Sequence, residues 1–403
     1  MSRSDERACS TTPPTCVGTR AHDTRVFYRE RVDARVRFGL TRVLPVALVV
    51  AVCIWGPHVW WLERPRKQAK IVIVDKTVPF RNYREHAAFT WLLHALKIVL
   101  PSGETYREER DYFGYDPIAK AGRDLEAPDL RDAAGLFIGD TYGVYVGDYK
   151  RPNDVAALER SQKIYGGFDD AEAAVIDTYA RDGGLTVAEF NSFASPTEPE
   201  PRAKLEALFG LRWTKWVARY WEDLSNDEEV PQWLRRDYSR RYGTELEHRG
   251  SALIFVHEDD DIVVLRPGVD LEANVMLMSR TAAADPSWPE SARYVYWLDV
   301  VQPTTATVVY SYDVLATDAG ARTLAAHGLS AHFPAVLHGA ANAWYFAGDM
   351  IDTATEMGDP ERAGLLWWRR TTRGQIGADG SVLWGFYFPI LEKLLDQASP
   401  PKK

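Results

Sequence analysis

The chain has 403 residues, enough for one large domain or two modest ones, and a composition of 46% hydrophobic and 26% charged residues suits a packed core. The formal net charge is −9, although residues 1–42 carry nine Arg against five acidic residues, so the remainder is more acidic still. Nothing in that acidic body offsets phosphate repulsion, which excludes nucleic acid as a partner. Cys9, Cys16 and Cys53 are the only cysteines, so the rest of the chain has no thiol nucleophile, Cys-ligated zinc or internal disulfide.

Residues 1–42 open with a polar, aperiodic stretch that reads as a disordered tail. Its last part, TRVFYRERVDARVRFGLTR, suits either a basic helix on anionic lipid or a charge signal for topology. Residues 43–62, VLPVALVVAVCIWGPHVWWL, hold no Asp, Glu, Lys or Arg and are long enough to cross a bilayer core. Trp55, Trp60 and Trp61 gather toward one end, as in an interfacial belt. The expected partner of this segment is therefore the lipid bilayer. Upstream stand Arg25, Arg29, Arg31, Arg35, Arg37 and Arg42, against Arg64, Arg66, Lys67 and Lys70 downstream. The excess places the tail in the cytoplasm and the main domain outside, as a single-pass protein. Residues 63–70 read as a linker and 71–403 as the α/β domain.

IVIVD (71–75) is a continuous β-branched run, as in a strand buried on both faces. From Tyr83 to Val99, apolar residues at i, i+3, i+4 and i+7 predict a helix. GLFIGD (135–140) predicts the next strand. Asp169 and Glu172 form a capping-box pattern opening a helix through about Arg181, which Gly183 closes. LTVAEF (185–190) and a helix over Pro201–Phe209 follow. The alternation predicts a doubly wound, mainly parallel sheet. SALIFVH (251–257) and IVVLR (262–266) read as a hairpin around EDDD. RYVYWLDVV (293–301) and ATVVYSYDV (306–314) read as a second one around QPTT. Together they predict an antiparallel insertion at about 250–315. AWYFAGD (343–349) reads as a returning core strand, and helices are expected near 360–371 and 386–396.

Ligands of doubly wound sheets sit at the carboxyl ends of the strands. Those ends carry Asp75 and Lys76, with Arg84 and Glu85 beyond; Asp140, Thr141 and Tyr142; Glu189 and Asn191; and Asp349. SQKIYGG (161–167) adds Lys163 and Tyr165 ahead of a helix N-terminus, where backbone N–H groups favour an anion. These residues form the candidate ligand-binding set, with Glu189 and Asp140 as acid/base candidates. Four carboxylates on one edge repel unless a proton or cation is shared, and Lys76, Arg84 and Lys163 can supply positive charge. The structural alternative has Asp75 and Asp140 capping helices while Glu189 pairs with Arg84. No motif specifies a metal or a cofactor: a nucleotide-binding glycine loop is missing after the first strand, and HEDDD (257–261) lacks the alternating ligands of a calcium loop. A nucleophile elbow needs small residues on both sides of its serine, but around Ser192 and Ser195 only Ala194 is small, and no spacing ties His86, His257 or His338 to either.

IVIVDKTVPFRNYREHAAFTWLLH, GLFIGDTYGVYVGDY, SQKIYGGF, TVAEFNSFASPT and AWYFAGD, in that order, resemble an uncharacterised family of membrane-anchored bacterial proteins. The fold this implies is the class I glutamine amidotransferase-like (flavodoxin-like) sheet, shared with trehalose-utilisation-type proteins and a domain of some bacterial β-galactosidases. Amidotransferases of that class place a cysteine in the elbow after a central strand. Here that turn reads Glu189-Phe190-Asn191-Ser192, so cysteine-dependent glutamine hydrolysis is excluded. The resemblance implies a ligand-binding or accessory domain of the cell envelope, with a glycan or other polar ligand and envelope proteins as partners. A carboxylate-dependent enzyme acting on a saccharide, or a structural scaffold, are the alternatives.

Overall fold

The structure is a computed structural model that describes residues 33, 35–149, 161–227, 229–354, 357–375 and 380–400. The tail expected to be disordered falls outside the described residues as far as residue 32. Two compact units are present, residues 1–58 and 59–403.

In the first unit the chain is helical from Arg35, passes through a π-turn at Gly39–Val43 and continues as α1, Leu44–Glu63. None of its most apolar window is buried within the chain, and by length and composition it can cross a membrane. A signal sequence passes the same test.

The second unit begins with the last turn of α1. The Trp61 indole donates to the Ala95 carbonyl at 3.3 Å, and the Lys97 ammonium reaches the carbonyls of Leu62 and Arg64 at 2.8 and 2.7 Å. The expected linker is not free, because Lys67–Gln68 pairs in parallel with Ile98–Val99. The same pairing shortens the helix expected to reach Val99. Lys97, at φ 56°, turns the chain out of the helix, and Ile98 and Val99 bury their side chains from a strand instead.

Six strands and three helices build the core of the site: β1 (Ile71–Asp75), α2 (Arg84–Ala95), β2 (Phe113–Asp116), β3 (Ala121–Arg123), β4 (Gly135–Ile138), α3 (Asp170–Arg181), β5 (Leu185–Ala188) and α4 (Pro199–Phe209), and later β14 (Ala343–Phe346). Between α4 and β14 lie β6 (Leu211–Trp221), α5 (Gln232–Tyr242), β7 (Ala252–His257), β8 (Ile262–Leu265), β9 (Leu271–Arg280), β10 (Ser291–Tyr294), β11 (Leu298–Pro303), β12 (Thr307–Ala316), α6 (Asp318–Ala326) and β13 (His332–His338). α7 (Leu365–Arg373) and α8 (Phe388–Gln397) follow, joined in part by a π-helical segment, Val382–Tyr387.

The main sheet has ten strands in the order β10-β9-β12-β13-β14-β5-β4-β1-β2-β3. Its run β14-β5-β4-β1-β2 is parallel, and the flanking pairings are antiparallel. Counting only the parallel strands along the chain, the order is 2-1-3-4-5, that of flavodoxin-like sheets. The capping box at α3 is present: Asp169 accepts from the Glu172 N–H at 2.8 Å, and Glu172 accepts from the Asp169 N–H at 3.3 Å.

Two sequence expectations need correction. The stretch 293–301 is not one arm of a hairpin with 306–314. It breaks at Val295–Trp297, sending β10 to β9 and β11 to β6 in a separate four-stranded sheet, β8-β7-β6-β11, while β12 pairs with β9 and β13. Buried Tyr294 explains the break, because its hydroxyl bonds the Trp297 carbonyl at 2.5 Å and closes a turn inside the apolar run. The antiparallel part is also larger than 250–315, since β6 opens it at Leu211 and β13 ends it at His338.

Candidate functional site

In a 2-1-3-4-5 sheet the chain reverses direction across the sheet between the first and third parallel strands, here β1 and β4, and the crevice opens at their carboxyl ends. Asp75 ends β1, and Asp140 stands two residues beyond β4. Thr77 ties them together. Its hydroxyl donates to Asp140 Oδ1 at 2.6 Å and accepts from the Gly143 N–H at 2.8 Å, while its own N–H donates to Asp75 Oδ1 at 2.9 Å. Asp140 also accepts from the Tyr142 N–H at 2.5 Å.

The first turn of α2 closes on this crevice because Gly139 leaves room for it. A Cβ there would stand 2.6 Å from the Glu85 carbonyl. Gly114 does the same on the other flank, at φ 143°, where a Cβ would overlap the Asp75 carbonyl.

Glu189 and Asp349 follow β5 and β14, so all four strand-end carboxylates reach the same edge, as the parallel pairing requires. Glu85 and Asp352 join them. Burial pushes Glu85 and Asp349 well above the ordinary carboxylate range, with further upward pressure from their acidic neighbours. Burial likewise raises Asp140 to about 7 and Glu189 to about 8. Asp352 is raised by burial too, against the lowering pull of Arg84. The edge therefore holds carboxyl groups that burial raises toward or above neutrality, and a protonated carboxyl can donate as well as accept a hydrogen bond.

Positive charge arrives differently from the expectation. Arg84 is half exposed and bonds Glu85 at 2.7 Å and Asp352 at 2.7 Å, so it serves the edge but does not pair with Glu189. Glu189 instead accepts from the N–H groups of Met350 and Ile351 at 2.9 and 3.1 Å and bonds the Tyr387 hydroxyl. It is sealed in, with no oxygen offered to a substrate. Lys76 does not reach the carboxylate edge. Its buried ammonium sits 2.5 Å from Glu172, 3.3 Å from Asp124 and 3.0 Å from the Gly167 carbonyl, anchoring the start of α3. Lys163 is exposed and bonds the Gly166 carbonyl at 3.1 Å, so it neutralises none of the four carboxylates.

Asp75 pairs with His86 Nδ1 at 2.6 Å, and His86 Nε2 donates to the Glu108 carbonyl at 2.9 Å. Both ring nitrogens are occupied and both residues are fully buried, so this dyad positions α2 and leaves no nitrogen for a substrate proton. Ser192, also buried, donates to the Glu189 carbonyl at 2.5 Å, which removes it as a nucleophile. Thr141 donates to the carbonyls of Asn191 and Ser192 at 3.0 and 2.8 Å, holding the turn after β5. Asn191 takes φ 62° in that turn, with its N–H on Asp299 at 2.8 Å.

Glu85, Asp349 and Asp352 offer oxygens within 4.8 Å of one another, a spacing a cation can bridge. Arg84 already donates to two of the three, so the guanidinium occupies the electrostatic role that an ion would take.

Four of the twelve candidate residues line one of two cavities. One cavity, of about 630 Å³, runs along α2 and is lined by Arg84, Trp91, Tyr106, Glu108 and Asp352. The other, of about 800 Å³, is lined by Lys76, Asp124, Lys163, Tyr165 and Glu172. Asp75, Glu85, Asp140, Thr141, Tyr142, Glu189, Asn191 and Asp349 line neither. Half-exposed rings of Phe80 and Tyr142 stand on the loops after β1 and β4. Phe80 lies 5.9 Å from Tyr149, and Tyr142 lies 4.8 Å from Tyr145.

Sequence reasoning missed Asp352, His86 as a partner of Asp75, and Tyr387. Asp352 lies one helical turn after Asp349 and was within reach of spacing. Tyr387 meets Glu189 across 198 residues, for which the local sequence holds no sign.

No protein-family model matches the chain, and neither does any curated protein. Among solved structures, it is similar to a β-galactosidase from Rahnella sp. R3, with 12% identity and a TM-score of 0.35 over 71% of this chain and 30% of that one. A ThuA-like protein from Bacteroides uniformis has 10% identity and a TM-score of 0.35, covering 71% and 84%. Another from Parabacteroides merdae has 12% identity and a TM-score of 0.34, covering 70% and 79%. The chain spans about a third of the length of the galactosidases it matches. Likenesses of this size assign neither a family nor an activity.

Proposed function

We propose that the chain is a bilayer-tethered α/β domain of the cell envelope, of the cysteine-free amidotransferase-like kind, that holds a glycan or similar polyhydroxyl ligand. The carrying observation is the crevice between β1 and β4. Asp140 stands there, buried and raised by that burial to about 7, and accepts from the Tyr142 N–H, while the exposed rings of Tyr142 and Phe80 stand on the loops after β4 and β1. A sugar ring has an apolar C–H face that stacks on aromatic rings and a rim of hydroxyls that both give and take hydrogen bonds. Aromatic rings on the loops beside a carboxyl group raised to near neutrality match both features. The apolar helix α1 supplies the tether, and the excess of Arg upstream of it sets the domain on the extracytoplasmic side.

The test uses the full chain in lipid nanodiscs, with glucose, N-acetylglucosamine, lactose and trehalose as probes in thermal unfolding. Ligand at about a hundredfold its Kd stabilises the folded state by about 2.7 kcal/mol. The expected result is a rise in Tm with at least one sugar that Asp140→Asn and Tyr142→Ala reduce. If no sugar shifts the wild type, or the two variants respond as fully as it does, the proposal fails.

One observation favours the enzymatic alternative: a carboxyl group near 7 at the crevice is suited to acid catalysis. Glu189 is not its partner, since all its bonds are internal.

A further inference from the structure

The crevice leaves α7 unexplained. Its nine residues read LLWWRRTTR, with three Arg and no acidic residue, and Trp367 and Trp368 are 65% and 57% exposed. Two adjacent indoles turned to solvent on a cationic helix are costly in water, where each leaves a large apolar surface uncovered. They match the interfacial zone of a membrane, where indoles sit at headgroup depth and arginines meet anionic lipid.

Within residues 59–403, a relay of ring contacts runs from Trp61, at the end of the apolar segment in sequence, to α7. Trp61, in the last turn of α1, lies 5.5 Å from His94 of α2. One turn back along α2, Trp91 lies 5.4 Å from Trp384. The guanidinium of Arg369 lies 5.6 Å from that same Trp384 ring. α7 is further fixed by Arg370, which bonds Glu392 of α8 at 2.8 Å. Within residues 59–403, α7 thus packs into the same aromatic cluster that takes in Trp384 and the α2 face carrying Trp91 and His94.

We infer that α7 is a second membrane contact, an interfacial helix that lays Trp367 and Trp368 into an anionic lipid surface and fixes the tilt of the domain over it. The inference rests on α1 spanning the bilayer, as proposed above. A single spanning helix leaves a domain free to swing about its tether, whereas a second contact holds the crevice at one height and angle.

The test places one environment-sensitive fluorophore at a time on the full chain, in a background with Cys9, Cys16 and Cys53 changed to Ser. The positions are Thr372→Cys on α7, Ile118→Cys on the exposed turn between β2 and β3, and Trp55→Cys within α1. The chain is reconstituted in nanodiscs of phosphatidylcholine with phosphatidylglycerol. Lipid-borne nitroxide quenching and aqueous iodide quenching are then measured. The label at 372 is expected to be quenched by lipid about threefold more than the label at 118. Adding Trp367→Ser and Trp368→Ser returns it to the level at 118. If the label at 372 is as open to iodide as the one at 118 while the label at 55 is lipid-quenched, α1 spans the membrane and the docking inference is overturned. If the label at 55 is itself open to iodide, the tether reading fails and the inference falls with it.

Discussion

Replacing Glu189 by Gln separates a sealed structural carboxyl group from a catalytic one, and the structure gives the size of the effect. Burial raises Glu189 from 4.5 to about 8. The folded protein thus keeps its proton across a range in which the unfolded chain has lost it. Stability from this group is complete below pH 4.5 and falls as pH rises through the window to about 8. At about 1.4 kcal/mol for each tenfold change in proton concentration, the loss is roughly 3 kcal/mol by pH 7 and roughly 5 kcal/mol above pH 9. Gln keeps the geometry: its carbonyl accepts from Met350 and Ile351, and its amide donates to Tyr387. Glu189→Gln is therefore expected to match the wild type near pH 5 and to exceed it increasingly above pH 7. Glu189→Ala orphans two buried N–H groups and is expected to cost about 3 kcal/mol or more at every pH. Urea unfolding of the three proteins from pH 5 to 9 measures this directly. A Gln variant with the same pH slope as the wild type, or one as unstable at pH 5 as the Ala variant, would falsify the account of Glu189 as a protonated, enclosed group.

Other expectations concern how the crevice is held. Lys76→Met strands the buried Glu172 carboxylate and is expected to cost about 3–5 kcal/mol in urea unfolding, with partial recovery when Glu172→Gln is added. Thr77→Val removes the donor to Asp140 and the acceptor for the Gly143 N–H, for an expected loss of about 1–3 kcal/mol. An unchanged midpoint would contradict the bridging role. Gly139→Ala drives a methyl group into the Glu85 carbonyl, and calorimetry is expected to show a loss of about 1–3 kcal/mol as the start of α2 is displaced.

Four of the five parallel strands were legible because they are short apolar runs with an acidic residue at or soon after their ends, whereas β2, FGYD, carries no such run. The pairing of β1, β4, β5 and β14 then brings Asp75, Asp140, Glu189 and Asp349 to one edge without any further information. What each carboxyl group does there was not legible. Lys76 and Asp75 are adjacent in sequence, and alternation along a strand points them apart, one toward α3 and the other toward His86. Glu189 looked like a partner for Arg84 because the two charges are complementary, but Arg84 lies nearer Glu85 and Asp352. The apolar stretch 293–301 hid its break, since a turn closed by a tyrosine hydroxyl needs no Gly or Pro. The parallel β14 was recognisable as a returning strand, whereas the transfer of β11 into the second sheet depends on partners that lie far along the chain.

The bond from Tyr387 to Glu189 and those from Met350 and Ile351 bridge 198, 161 and 162 residues. During synthesis from the N-terminus, β5 emerges well before β14, so its edge is open and Glu189 lacks its donors until the last quarter of the chain arrives. A ribosome stalled between these segments holds a half-sheet with an uncovered acid at its margin. Such an intermediate calls for protection by a chaperone, and the nascent chain is most vulnerable to aggregation and proteolysis over that interval.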